Sequence, residues 1–201
     1  MIDMDTVVIK YNAGNLRSVE YALQRLGVDP IFSDDPEIIM GAERIIFPGV
    51  GEASSAMDYL QQRGLDKVIL GVKQPFLGIC LGMQLMCCHS EENDTECLGI
   101  FKEKVFRFSP KEPIDKVPQI GWNTIHHLRS DLFSNIPEAS YCYFVHGYYA
   151  GIGEHTISTT DYAGSYSSGL QRDNYYGVQF HPEKSAAVGQ KILENFLNIR
   201  Y

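Results

Sequence analysis

One cysteine of this chain stands in a sequence context that is typical of a nucleophile. Cys80 is the centre of Gly78-Ile79-Cys80-Leu81-Gly82, between an apolar run that predicts a strand and a run that predicts a helix. The flanking glycines permit a sharp turn, and the start of the following helix favours the thiolate. The pattern therefore predicts a nucleophile elbow, although a buried cysteine at a glycine-containing strand end has the same local sequence.

His181 and Glu183 supply the base that a thiolate needs and the acceptor that orients this base. Pro182 favours an extended backbone at His181, in which side chains two residues apart point to the same side. The segment follows an apolar, strand-like run, and sites of α/β proteins form at the carboxyl ends of parallel strands. His146 is the other candidate base, but a partly buried histidine with satisfied hydrogen bonds is an equally good interpretation of it.

A third segment completes the candidate site. Pro48-Gly49-Val50-Gly51 follows another predicted strand, and its glycines free the backbone to direct an N–H group at a developing oxyanion. The backbone N–H of Leu81 points towards the same space as the sulfur. Together the three segments predict a Cys/His/Glu acyl-transfer site with two backbone donors.

The elements that must position these residues are typical of an α/β protein. Alternating strand and helix signals in the first half predict a parallel sheet, and strand signals dominate the second half before a closing helix. We expect a three-layer α/β/α fold with a mainly parallel central sheet and an additional antiparallel portion. The clearest predicted strands cover residues 7–9, 31–32, 44–47, 75–79, 141–145, 156–160, 166–171 and 176–180.

Composition excludes several classes of protein. The 201 residues are 44% hydrophobic, which fits one domain spanning residues 1–201. Seventeen Lys and Arg against 25 Asp and Glu give a net charge of −8, so a nucleic-acid partner is not expected. The start of the chain is acidic, and no apolar run is long enough to cross a membrane. We therefore expect a cytoplasmic protein that does not bind a membrane.

The five cysteines form an odd number without a secretory signal, which argues for reduced thiols. Cys87, Cys88 and His89 are adjacent, but neighbouring helical residues point in diverging directions and the sequence contains no C-x-x-C pair. We expect no metal site. Cys97 and Cys142 are interpreted as small buried thiols.

The elbow with its continuation to Gln84, and the run His181-Pro182-Glu183, resemble the class I, triad-type glutamine amidotransferases. The resemblance covers residues 7–197 approximately, nearly the whole chain. It implies a flavodoxin-like three-layer fold and hydrolysis of L-glutamine. It also implies that Cys80 is the nucleophile, His181 the base and Glu183 the group that orients it.

The same resemblance implies how glutamine is held. Val50 and Leu81 would provide the oxyanion-hole amides, and Gly49, Gln84 and Glu92 would bind the substrate. Gln84 lies four residues beyond the nucleophile, one helical turn along. An exposed helical glutamine and a solvated loop carboxylate are the alternative interpretations. No metal or organic cofactor is implied.

Four segments resemble one subgroup of that family, the glutaminase subunits that feed ammonia to a (β/α)8-barrel cyclase. The cyclase uses this ammonia for the biosynthesis of histidine and releases a purine precursor. The implied heterodimer interface contains Asn15, Trp122, Tyr143 and Lys184, although both aromatic residues are equally compatible with a core position. Lys10-Tyr11-Asn12 departs from the usual pattern, and we expect any effect of this departure on docking and not on hydrolysis. The four segments are Ala13-Gly14-Asn15-Leu16, Pro48-Gly49-Val50-Gly51, Gly121-Trp122-Asn123 and His181-Pro182-Glu183-Lys184-Ser185.

Three alternatives remain open at this point. A paralogous glutaminase could supply another acceptor, for instance in a surface-sugar pathway. A cysteine peptidase shares the elbow and the base, but it does not account for Gln84 or for Lys184-Ser185. A catalytically silent regulatory subunit is the third alternative, and the intact set of Cys80, His181 and Glu183 speaks against it.

Overall fold

Strands and helices alternate through the first half of the chain, as predicted. The computed structural model describes residues 6–11, 16–109 and 116–200. Local signals set several element ends: the side chain of Asp35 accepts the N–H of Glu37 ahead of one helix, and Gly27 takes a φ of 78° after another. The elements are β1 (Thr6–Ile9), α1 (Leu16–Gln24), β2 (Ile31–Ser33), α2 (Pro36–Gly41), β3 (Arg44–Gly49), α3 (Ala53–Gln62), α4 (Leu65–Gly71), β4 (Phe76–Cys80) and α5 (Leu81–Met86).

Strands dominate the second half of the chain until a long helix closes it. The elements are β5 (His89–Ser90), β6 (Thr95–Glu96), β7 (Lys104–Arg107), β8 (Gln119–Ile125), β9 (Ser140–His146), β10 (Tyr148–Ala150), β11 (Thr156–Asp161), β12 (Ser165–Arg172), β13 (Tyr175–Val178) and α6 (Ala186–Asn198).

The large sheet joins a parallel part to an antiparallel part. Its parallel part has the order β2-β1-β3-β4-β13, so a strand from the end of the chain lies beside β4. Antiparallel pairing then continues through β12 to β11 on one branch and to β10 and β7 on the other. β8 and β9 form a separate two-stranded antiparallel sheet. The predicted fold class is therefore confirmed.

Both faces of the parallel strands are apolar and covered. Val7 and Val8 illustrate the alternation, because Val7 belongs to the same core as Ile39 of α2 on one face and Val8 to the same core as Val19 of α1 on the other. The first core contains residues of α2, α3, α4 and α5, and the second contains residues of α1, α6 and β9. This double covering gives the three layers.

β13 ends at Val178, two residues before the end of the predicted strand. The backbone N–H of Gln179 donates to Ser168, and that of His181 donates to Tyr143 on β9. The chain therefore leaves its pairing with β4 and turns towards the small sheet, which places His181 beyond the strand end. None of the described helices has the length and apolar character that crossing a membrane requires.

Candidate active site

Cys80 is held in a strained backbone conformation between β4 and α5. Its φ and ψ are 54° and −111°, a region that costs a non-glycine residue on the order of 1–3 kcal/mol. The flanking glycines are required by close packing: a Cβ atom at Gly82 would lie 2.0 Å from Phe47 O, and one at Gly78 would lie 2.8 Å from Met83 N. The elbow therefore presses the start of α5 against the neighbouring strands and leaves the thiol facing a cavity.

The end of β3 lies directly beside this elbow. Gly49 is the register partner of Cys80 across β3 and β4, and Val50 and Gly51 continue along the same cavity. Gly51 has a φ of 111°, which favours glycine. Leu81 also borders the cavity. The structure thus brings the two backbone segments expected to carry the oxyanion-hole donors to one place.

His181 and Glu183 are in contact, but through a different backbone geometry from the expected one. His181 Nδ1 lies 2.7 Å from Glu183 Oε1, and both side chains are buried. His181 is extended, with φ −98° and ψ 96°, as its neighbour Pro182 predicts. Residues Pro182–Lys184 then form a 3-10 turn, so the carboxylate reaches the imidazole by folding back instead of by alternation along a strand.

A serine that sequence reasoning missed anchors this histidine. Ser185 Oγ donates to His181 O at 2.7 Å and accepts the backbone N–H of Tyr143 at 2.9 Å. His181 N also donates to Tyr143 O at 2.9 Å. The backbone of His181 is therefore fixed to β9 on two sides. The pairing links residues 42 positions apart, so no local sequence signal indicates it.

The surroundings of His181 favour its protonated form. Burial lowers its pKa, but the charge of Cys80 and hydrogen bonding to Cys80 and Glu183, with the charge of Glu183, outweigh burial and raise the pKa to about 10. Its Nε2 is buried and has no hydrogen-bond partner within the described residues. Glu183 engages Nδ1, so Nε2 is the ring nitrogen that is available to exchange a proton in the cavity.

The cavity itself has a volume of about 230 Å³ and unites most of the candidate residues. Gln84 is buried, so the exposed-helix interpretation is wrong, and its Nε2 donates to Tyr148 O at 2.8 Å. Gln84 Nε2 also donates to Gln179 Oε1 at 2.9 Å. The lining residues are Gly49, Val50, Gly51, Cys80, Leu81, Gln84, Glu92, Val145, His146, Gly147, Tyr148 and His181.

Glu92 is a half-buried wall of this cavity and not a freely solvated charge. Its Oε2 accepts the backbone N–H of Ala53, the first residue of α3, at 2.8 Å. Burial raises the pKa of Glu92, and the Ala53 hydrogen bond partly opposes this effect. Asn93 donates to Glu52 at the same helix start. The hairpin that carries Glu92 is therefore tied to the segment that follows Gly51.

His146 has the properties of a neutral, hydrogen-bonded histidine. Its Nδ1 lies 2.7 Å from Tyr148 O, and its Nε2 lies 3.3 Å from Tyr166 Oη. Burial lowers the pKa of His146 to about 4, against a smaller opposing effect of the Tyr148 carbonyl. Since the carbonyl accepts, Nδ1 carries the proton. Both ring nitrogens have hydrogen-bond partners, so the structure favours the interpretation of His146 as a buried histidine with satisfied hydrogen bonds.

Three of the four expected interface residues lie together on or near the small sheet. Trp122 is 53% exposed and contacts Tyr143 edge to face, with ring centroids 6.0 Å apart. Lys184 Nζ lies 5.9 Å from the centroid of the Tyr143 ring. A core position is therefore wrong for Trp122. Asn15 lies outside the described residues, as does Asn12.

Three of the remaining cysteines are poor nucleophiles. Burial raises the pKa of Cys97 and of Cys142 to about 12 and that of Cys87 well above its ordinary value. Cys142 is buried as expected, whereas Cys97 is only partly buried. Across the described residues, no three potential metal ligands come together.

Comparison with protein families identifies the class to which this fold and site belong. Residues 3–199 match the family model "Glutamine amidotransferase class-I". The fold alone is also similar to the solved structure of PurLQS from Thermotoga maritima, with a TM-score of 0.74, 20% identity and coverage of 98% of this chain and 99% of that one. The chain belongs to the class I glutamine amidotransferases.

Full-length relatives define the subfamily. The protein named "Imidazole glycerol phosphate synthase subunit HisH" from Bacteroides fragilis (strain YCH46) is 52% identical over 196 residues, which cover 98% of this chain and 100% of the relative. A protein of the same name from Shewanella sediminis (strain HAW-EB3) is 44% identical over 201 residues, with coverage of 97% and 91%. These identities place the chain among the HisH proteins, and the peptidase alternative has no support.

Proposed function

We propose that this chain is a glutaminase that hydrolyses the side-chain amide of L-glutamine through a cysteine thioester. The shared cavity carries the proposal: Cys80, the unpaired Nε2 of His181 and the backbone at Val50 and Leu81 border the same space. A nucleophile, a base and two oxyanion donors around one space are the parts that acyl transfer requires.

Acylation begins with attack of the Cys80 thiolate on the side-chain carbonyl carbon of glutamine. A C–S bond forms, and the carbonyl electron pair moves to oxygen, which accepts the N–H groups of Val50 and Leu81. His181 carries the proton at Nε2 and donates it to the departing nitrogen, so ammonia leaves and a γ-glutamyl thioester remains. Glu183 accepts Nδ1–H throughout and fixes the direction of Nε2.

Deacylation uses the same groups in reverse order. A water molecule gives a proton to Nε2 of His181 while its oxygen attacks the thioester carbon. The C–S bond then breaks, glutamate is released, and the thiolate of Cys80 is restored beside a protonated His181. The attraction to Cys80 that raises the pKa of His181 also favours this thiolate–imidazolium pair, which is the starting state for the next turnover.

Substrate recognition uses groups on the far walls of the cavity. The Glu92 carboxylate binds the α-ammonium group of glutamine, and Gln84 and the backbone of Gly49 contact its remaining polar groups. Half burial strengthens the attraction between Glu92 and an ammonium, since fewer water molecules screen it. No metal or organic cofactor enters these steps.

The released ammonia passes to a partner of the (β/α)8-barrel cyclase type in a heterodimer, for histidine and purine-precursor synthesis. The name shared by the relatives describes a synthase subunit, and this supports the histidine pathway over a paralogous acceptor. The exposed Trp122, with Tyr143 and Lys184, offers an apolar and cationic surface for such a partner.

A labelling experiment tests the glutaminase assignment. A glutamine-like electrophile should modify Cys80 and spare the other four thiols, and Cys80→Ala should abolish glutamine hydrolysis without unfolding the protein. Cys88→Ala is the matched control, because Cys88 is a partly exposed thiol outside the cavity, and it should leave hydrolysis unchanged. Hydrolysis that survives in Cys80→Ala contradicts the assignment.

A further inference from the structure

A buried glutamine that the mechanism above does not use lies against the nucleophile. The side chain of Gln179 is inaccessible to solvent, and its Nε2 lies 3.7 Å from Cys80 Sγ. Its Oε1 accepts the 2.9 Å hydrogen bond from Gln84. Its backbone N–H donates to Ser168 O, so both its backbone and its side chain are held by polar contacts.

The surrounding acceptors determine which end of the Gln179 amide faces the sulfur. Tyr148 O is a carbonyl, so the Gln84 group 2.8 Å from it must be the NH2. That NH2 has a second proton, which it donates to Gln179. Gln179 therefore presents its oxygen to Gln84 and its own NH2 to Cys80.

A donor in this position acts on the charge of the sulfur. An N–H···S contact is stronger when the sulfur is a thiolate, because the hydrogen bond is then charge-assisted. Sγ also lies 3.8 Å from Val145 O, an acceptor that suits the protonated thiol. Gln179 and Val145 thus favour opposite protonation states of the same sulfur.

We propose that Gln179 is a positioning residue that stabilises the thiolate of Cys80. Gln84 and the Tyr148 carbonyl hold its NH2 against the sulfur, and burial keeps water from replacing it. The inference rests on the proposed role of Cys80 as nucleophile. It also connects the substrate cavity to the nucleophile, since Gln84 borders the cavity and orients Gln179.

The pH dependence of Cys80 alkylation by iodoacetamide, followed on the Cys80-containing peptide by mass spectrometry, tests this role. Gln179→Met keeps the length of the side chain and removes the NH2 group that donates to Cys80. Gln179→Glu keeps an oxygen that accepts from Gln84, but a carboxylate oxygen takes the place of the NH2 group. We expect the midpoint of the alkylation profile to move upward by about one pH unit in Gln179→Met, which corresponds to a tenfold change in the equilibrium between thiol and thiolate. Gln179→Glu should move the midpoint further upward, because a carboxylate repels the thiolate.

At high pH the thiol is fully ionised in the wild type and in both Gln179 variants, so their alkylation rates should be equal there. The other groups around the sulfur are the same in all three proteins, so a shifted midpoint reports the change of the Gln179 amide alone. The titratable groups that face Cys80 or its cavity are Tyr11, Glu92, His146, Tyr148, Tyr166 and His181 with its partner Glu183.

Asn174→Asp is the matched control. Asn174 is a buried amide that donates to Val72 O and Gln74 O, at the opposite end of β13, so this change should lower stability and leave the midpoint in place. Unchanged midpoints in folded Gln179→Met or Gln179→Glu overturn the inference, and either variant suffices. Failure of the glutaminase proposal looks different, since glutamine hydrolysis would then persist in Cys80→Ala.

Discussion

Gly49 and Cys80 are direct partners across β3 and β4, and Gly49 also touches the start of the helix that follows the nucleophile. A Cβ atom at Gly49 would lie 2.2 Å from Gly82 N and 2.6 Å from Leu81 Cβ. The backbone next to Val50 can therefore lie this close to the elbow only because Gly49 has no Cβ atom.

Gly49→Ala is expected to damage both stability and activity. The new methyl group meets backbone, which cannot move aside as a flexible side chain can, so the free energy of unfolding should fall by about 3 kcal/mol. A displacement of about 1 Å between the loop and Cys80 should lower kcat about 100-fold. Denaturant unfolding and glutaminase turnover measure the two effects. Gly41→Ala, at an open position on α2, should leave both nearly unchanged.

Sequence reasoning succeeded where the signal is local. The elbow around Cys80, the parallel strands and the closing helix follow from apolar periodicity and glycine spacing over short windows. It failed where contacts join distant segments: Gln84 with Gln179 is separated by 95 positions, and Ser185 with Tyr143 by 42. A buried polar side chain has no periodic signal, because its partner is chosen by tertiary packing.

The sequence also did not predict the turn that follows His181 or the strand β8. The contact between Glu183 and His181 was predicted from an extended backbone, in which side chains two residues apart point to the same side. The contact exists, but a 3-10 turn at Pro182–Lys184 forms it. β8, whose end carries the buried Gln119, was not among the predicted strands, because its other residues are mixed in polarity.

His181 and Glu183 should differ in the severity of their substitutions. His181→Asn removes the group that exchanges protons at Nε2 and should lower kcat by about 10³-fold or more. Glu183→Gln still offers an oxygen to Nδ1–H, so it should retain roughly tenfold more activity than His181→Asn. Steady-state glutaminase kinetics measure both, with exposed Glu194→Gln as the control. Equal and mild losses in the two variants contradict the assigned roles.

His146 should make the protein sensitive to acid. Its pKa is about 4 in the folded protein and ordinarily 6.5, so the unfolded chain binds the extra proton between these values. The resulting stability is fully present above pH 6.5 and is lost as the pH falls to about 4. Its slope approaches about 1.4 kcal/mol per pH unit.

His146→Gln keeps a donor for Tyr148 O and cannot titrate in this range. Its free energy of unfolding, measured by urea denaturation from pH 7 to 4, should therefore fall less steeply than that of the wild type. Exposed His127→Gln is the control and should follow the wild type. An identical acid slope in His146→Gln would show that this histidine is not the source.

Trp122 should contribute to partner binding without contributing to hydrolysis. Its ring is half exposed beside Tyr143 on the small sheet. The small sheet and α4 cover opposite faces of the large sheet. Truncation of an aromatic anchor typically costs about 2 kcal/mol or more, so Trp122→Ala should raise the Kd for the barrel subunit about 30-fold. The isolated chain should hydrolyse glutamine at its usual rate. Leu70→Ala on α4 removes a similarly exposed apolar side chain and should leave the Kd unchanged. Titration calorimetry with the barrel subunit measures these values, and equal affinities for the wild type and Trp122→Ala would exclude this surface as the interface.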